Sequence, residues 1–110
     1  ALDENHGPHT GGCGNCRGVV TIDSRTGTIT RNEEYYALAH ASRFVRPGAR
    51  RIESNLLPRL DNVAFRNPDG SRVLVVLNAD SSARTFAVRE RGRSFSYTLA
   101  PGAVVTFRWR

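Results

Sequence analysis

Val63-Ala64-Phe65-Arg66-Asn67-Pro68-Asp69-Gly70-Ser71-Arg72-Val73-Leu74-Val75-Val76-Leu77-Asn78 is the stretch that decides the fold. Val63 and Phe65 alternate with Ala64 and Arg66, the period of two that a strand requires. Asn67 to Gly70 then turns the chain. Pro68 presets φ, Asp69 tolerates the bridge region and Gly70 supplies a left-handed residue. Val73 to Leu77 is apolar at every position, as in a central strand covered on both faces. Two strands about one such turn make a β-hairpin.

The same alternation continues downstream. Asn78 to Ala83 turns the chain and Thr85 to Arg89 follows. Phe95, Tyr97 and Leu99 share one strand face, Pro101-Gly102 turns again, and Val105, Phe107 and Trp109 share a face of the last strand. Short strands with turns at this spacing predict an antiparallel sandwich. Strict alternation with Ser96, Thr106 and Arg108 points the aromatic rings inward, as core rather than as sugar-stacking platforms.

Upstream of Pro47-Gly48 the period is 3.6. Tyr36, Ala37, His40, Ala41 and Phe44 define one apolar stripe, and His40 on that stripe reads as a core histidine. Thr30-Arg31-Asn32-Glu33 fits a capping box, Arg43 suits the last turn, and Pro47-Gly48 stops the helix. Val19 to Ile22 and Thr28 to Thr30 read as short strands around a turn at Ser24 to Gly27. Ala1 to Gly18 holds Gly7, Gly11, Gly12, Gly14 and Gly18 and shows no periodicity. The expected fold is therefore mainly β: an antiparallel β-sandwich with one flanking α-helix and a long Gly-rich N-terminal loop.

At 110 residues and 12.1 kDa the chain has room for one modest core. The net charge is +6, and all 16 basic residues are arginines. The densest run is Arg43, Arg46, Arg50 and Arg51, and the others, such as Arg66, Arg72, Arg84, Arg89, Arg91 and Arg93, read as scattered over solvent faces of strands. Nucleic acid needs charge gathered on one face, so it is not an expected partner. No apolar run approaches the ~18 residues of a membrane span. His6, His9, Cys13 and Cys16 could supply two imidazoles and two thiolates to a tetrahedral zinc ion. The interval between His9 and Cys13 is tighter than the loop that usually separates such pairs. A free thiol pair also stays open. A redox motif of the thioredoxin kind does not fit, because no strand precedes Cys13 and no helix starts at Cys16.

Several separated blocks, in order, resemble glycoside hydrolase family 30, which includes glucosylceramidases and β-1,6-glucanases. They are Ala1 to Asn5 with Gly7-Pro8, Arg31 to His40, Phe44 to Ala49, Val63 to Asn78, and Pro101 to Trp109. The resemblance implies that residues 1–48 are the end of the last strand, the loop and the last helix of a (β/α)8 barrel. Residues 49–110 would be the C-terminal sandwich. It implies a Cys13–Cys16 disulfide, because secreted members carry a Gly-Gly-Cys-x-x-Cys-Arg-Gly loop and work in oxidising surroundings. That loop would follow a barrel strand and line the cleft, so His9 and Asn15 would be rim residues near the substrate.

A retaining glycosidase needs one carboxylic acid and one nucleophilic carboxylate. By resemblance both family glutamates would precede Ala1. Glu33 and Glu34 are adjacent on a helix and cannot flank one bond, and Asp3 and Glu4 share that problem. The expected function is a non-catalytic portion of a secreted retaining β-glycosidase, needing no cofactor. Its partner would be the catalytic barrel, and through it a carbohydrate. Cut off from that barrel, the chain would be prone to self-association through exposed apolar residues and an unpaired strand edge. A stand-alone glycan-binding module and a small zinc-bound or nucleic-acid-binding protein are the alternatives.

Overall fold

The computed structural model describes residues 1–8, 10–11 and 13–110, in two compact units, Ala1–Ala39 and His40–Arg110.

In the first unit β1 (Val20–Ile22) and β2 (Ile29–Arg31) form an antiparallel hairpin. Its turn is held by the Asp23 carboxylate, which accepts the N–H groups of Arg25 and Thr26 at 2.9 Å each. Leu2 lies beside Thr21 in a parallel bridge, with its N–H on the Val20 carbonyl. Then α1 (Glu33–Phe44) begins.

The expected cap is displaced. Thr30 is paired with Thr21 inside the hairpin, so Asn32, not Thr30, stands at the helix start. Asn32 is buried, and its amide donates to the Gly18 carbonyl at 2.7 Å and to Thr21 Oγ1 at 2.9 Å. Glu33 and Glu34 instead meet Arg17 at 3.3 and 3.0 Å. The apolar stripe also stands out more than its pattern implies. No residue of α1 is buried, and Tyr36 and Leu38 are more than half exposed.

The second unit contains β3 (Arg50–Ile52), β4 (Leu60–Arg66), β5 (Arg72–Asn78), β6 (Arg84–Glu90), β7 (Arg93–Leu99) and β8 (Val104–Trp109). One antiparallel sheet has the order β3-β4-β5-β8, and β6 pairs with β7 in a second. The doubly apolar β5 takes a central position, as its composition requires. Leu74 and Val76 face the second sheet, while Val73 points the other way and is fully buried. Leu60, Ala64, Leu74, Val76 and Leu99 form the core, joined by Phe86, Val88, Phe107 and Trp109. Burying each large apolar side chain contributes about 1.5–3 kcal/mol.

Both punctuating turns follow the sequence. Gly70 has φ +85° and Gly102 has φ +72°. The β6–β7 connection is a two-residue loop in which Arg91 (φ 49°) and Gly92 (φ 77°) are both left-handed, the geometry that matches strand twist.

The inward aromatic face is borne out for Phe107 and Trp109, which pack against the core. Phe107 touches Phe86, Phe95 and Tyr97 at ring distances of 6.1, 5.0 and 5.2 Å. Yet Phe95 and Tyr97 remain 40% and 42% exposed. Two strands are too narrow to roof a four-stranded sheet.

Candidate functional site

The N-terminal loop is shaped by its own carboxylates. Asp3 Oδ1 accepts the N–H groups of Asn5 and Gly7 at 2.9 and 2.7 Å. Glu4 takes the Ser24 hydroxyl at 2.5 Å and its N–H at 2.9 Å, which lowers the Glu4 carboxyl below its usual range. Gly18 admits no side chain, since a Cβ would meet the Leu2 nitrogen at 2.9 Å. Cys13 and Cys16 form a disulfide. Both sulfurs are thereby taken up, and neither is a thiolate that could hold zinc. Asn15 is exposed between them, its Oδ1 3.2 Å from Cys13 Sγ. That approach is a contact only, because a disulfide sulfur carries no proton. His6 is half-buried at φ 65°, and His9 lies outside the described residues.

A second cluster lies in the turn between β4 and β5. Asn67 is 2% exposed. Its Oδ1 accepts the Arg46 N–H at 2.9 Å, and its amide donates to the Phe44 carbonyl at 2.9 Å and to Ser71 Oγ at 3.0 Å. The Ser71 hydroxyl in turn donates to Asp69 Oδ1 at 2.6 Å. Asn67 therefore closes the last turn of α1, satisfying a carbonyl that a helix end leaves without a partner. His40 adds a second tie, its Nδ1 2.8 Å from Thr106 Oγ1 on β8; it is satisfied as expected, but half-buried rather than in the core.

A third cluster joins the sheets. Glu90 accepts Arg72 Nε at 2.7 Å and the Trp109 indole N–H at 2.7 Å. The indole first, and then the guanidinium, hold its carboxyl below the usual range. Beside this cluster a cavity of about 340 Å³ opens between the four-stranded sheet and β6, lined by Ile52, Leu60, Leu74, Phe86, Val88 and Trp109 among others. Among the described residues β6 has β7 as its one strand neighbour.

Six of the ten carboxylates share one electrostatic character. Glu4, Asp23, Glu34, Asp69, Asp80 and Glu90 are all lowered, each by hydrogen bonds or arginine. A general acid in glycoside hydrolysis needs the opposite shift.

Three of these features were not anticipated. Asn67 reads as ordinary turn chemistry in the sequence, and nothing there marks it as a helix partner. Glu90 and Trp109 are far apart in the chain. The arginines were expected to be scattered, and strand register instead collects many of them at one end of the second unit.

The profile of the glycosyl hydrolase family 30 beta sandwich domain matches residues 48–107. The endo-1,6-β-D-glucanase neg1 of Aspergillus fumigatus is 40% identical over 80 residues, covering 66% of this chain and 16% of that protein. A putative glucosylceramidase 1 of Caenorhabditis elegans is 38% identical over 81 residues, with the same two coverages of 66% and 16%. The crystal structure of SrfJ from Salmonella typhimurium matches with a TM-score of 0.87 at 36% identity, over 99% of this chain and 24% of that one. The chain thus spans about a sixth of the length of those two curated relatives.

Proposed function

This chain belongs to glycosyl hydrolase family 30 through its β-sandwich domain, and on that premise we propose that it is the non-catalytic sandwich portion of a secreted retaining β-glycosidase. Residues 49–110 buttress a catalytic barrel. Residues 1–48 supply the end of that barrel: its last strand, the following loop and the last helix. Asn15 and His9 stand on the rim of the sugar cleft in that loop. The substrate is a β-linked glycan, and β-1,6-glucan and glucosylceramide are the two that the relatives' names bring forward.

The observation that carries the reading is the Asn67 junction. One buried amide holds the carbonyl of Phe44 and the N–H of Arg46, so the sandwich turn grips the end of the helix directly. A buttress requires such a grip. The ionised, internally bonded carboxylates support a non-catalytic role, and the disulfide supports an oxidising, extracellular setting. The open side of β6 and the cavity beneath it support further strands or loops completing the sandwich.

The test is the heat inactivation of the intact enzyme carrying Asn67→Ala, assayed on β-1,6-glucan and on an aryl β-glucoside. A buttress predicts faster inactivation with an unchanged KM at low temperature. An altered KM with unchanged inactivation would place Asn67 in substrate binding and overturn the reading.

A further inference from the structure

Arg50, Arg66 and Arg72 are direct partners across β3, β4 and β5, and the row ends on Trp109 of β8. One row further in, Arg51 and Arg108 bracket Phe65 and Val73. The tip of the β6–β7 hairpin brings Arg89, Arg91 and Arg93 to the same end. It is joined there by Arg93, which donates to the Arg110 carbonyl at 2.8 Å, and by Glu90 between Arg72 and Trp109. With Arg110, nine of the sixteen arginines gather here, beside Asp69 and Glu90, and Glu53 lines the adjoining cavity with Arg72 and Arg89. The seven remaining arginines are matched by the seven remaining carboxylates.

Asp69 and Glu90 are already committed. Asp69 pairs with Arg108 and Arg110 at 3.3 and 3.1 Å, and Glu90 pairs with Arg72 at 2.7 Å. Arg50, Arg51, Arg66, Arg89, Arg91 and Arg93 are exposed and make no ion pair among the described residues. Neighbouring strands lie roughly 4.8 Å apart, so like charges in one row repel. Such a row is a poor choice for stability and a good one for meeting repeated negative charge.

We infer that this end of the sandwich docks a linear anionic polysaccharide, one with carboxylate or sulfate groups repeating along the sugar chain. Guanidinium groups bind such oxyanions in a planar, bidentate manner, and the chain uses arginine for all its cations. The choice of a polysaccharide over other polyanions rests partly on the glycosidase reading above. It has independent support from the aromatic rings. Trp109 and Phe95 pack on each other and Phe95 packs on Phe107, and the Trp109 indole is spent on Glu90. Trp109 and Phe107 are thereby half-buried, and neither is a free platform for stacking nucleic-acid bases, which single-strand binding requires. Docking here would hold the protein on an acidic matrix.

The test is retention of the intact protein on immobilised polygalacturonate and on dextran sulfate, with neutral β-1,6-glucan and duplex DNA as parallel arms. Arg50→Gln, Arg66→Gln and Arg91→Gln are combined in one variant. Arg25→Gln, Arg43→Gln and Arg59→Gln form a control that removes equal charge elsewhere. The expected result is salt-sensitive retention on one or both acidic polysaccharides, weakened about tenfold or more in the first variant and little changed in the control. The arm that retains the protein identifies carboxylate or sulfate as the recognised group. An unfolding midpoint of the first variant at or above the parent value would exclude misfolding, and a lower one is met by repeating the test with Arg91→Gln alone. Equal losses in both variants, absence of retention at low salt, or tighter retention on DNA would overturn the inference. Hydrolysis is read separately, so a failed glycosidase reading leaves this binding result interpretable.

Discussion

The side-chain amide of Asn67 donates to the backbone carbonyl of Phe44 at 2.9 Å, tying the turn between β4 and β5 to the last turn of α1. The group is 2% exposed, so water cannot replace it. Asn67→Ala strands the Phe44 carbonyl, the Arg46 N–H and one bond to Ser71. We expect a loss of roughly 2–3 kcal/mol, measured by urea denaturation. Asn67→Asp keeps the acceptor for Arg46 and loses the donor, so it should also destabilise. A change below about 0.5 kcal/mol in either variant would mean that the junction is not structural.

Glu90 neutralises Arg72, whose side chain is 11% exposed, and also receives the Trp109 indole. Glu90→Ala leaves a shielded cation without its counter-charge, held only by the Gly70 carbonyl, and an indole donor without its acceptor. The expected cost is roughly 2–3 kcal/mol. Glu90→Ala combined with Arg72→Met should recover a good part of that loss, because the stranded charge is then gone. A double variant as unstable as the single one would contradict this account.

Asp69 is one source of acid sensitivity. The Ser71 hydroxyl and N–H, then Arg110 and Arg108, hold its carboxyl down at about 2. An unfolded aspartate titrates near ~3.9, so the folded state binds its proton less readily. Its stabilising contribution is complete above about pH 4 and disappears as pH falls through about 2. Thermal midpoints between about pH 5 and pH 2 should fall less steeply for Asp69→Asn than for the parent. Parallel curves would rule out Asp69 as a source of acid sensitivity.

Half-exposed Phe95 and Tyr97 and the free side of β6 leave the isolated chain open to pairing with a second copy. The arginine-rich end opposes approach by charge repulsion, which salt screens. Sedimentation of the isolated chain should therefore show association that strengthens with salt. A monomer at every salt and concentration would show that the chain is self-sufficient.

The hairpin of β4 and β5 was legible because two local signals agree there, alternation and a Pro-Asp-Gly turn. The central place of β5 followed from Val73 to Leu77 being apolar on both faces. The helix was legible, and its first residue was not. Thr30 and Asn32 are both good caps, and the pairing of Thr30 with Thr21 decided between them. Asn67 was hidden because its burial arises from the helix that packs beside it. The arginine end was hidden for a similar reason: Arg50, Arg66 and Arg72 become neighbours only through sheet register. In the loop, the residues alone left disulfide, thiols and zinc open. Family resemblance pointed to the disulfide that Cys13 and Cys16 form.

The central claim is that these 110 residues support catalysis without performing it. The most direct measurement is release of the aryl group from an aryl β-glucoside by the purified chain alone, followed over a range of chain concentrations. The account predicts a rate equal to that of buffer at every concentration. A rate that rises in proportion to the chain and survives repurification would contradict it.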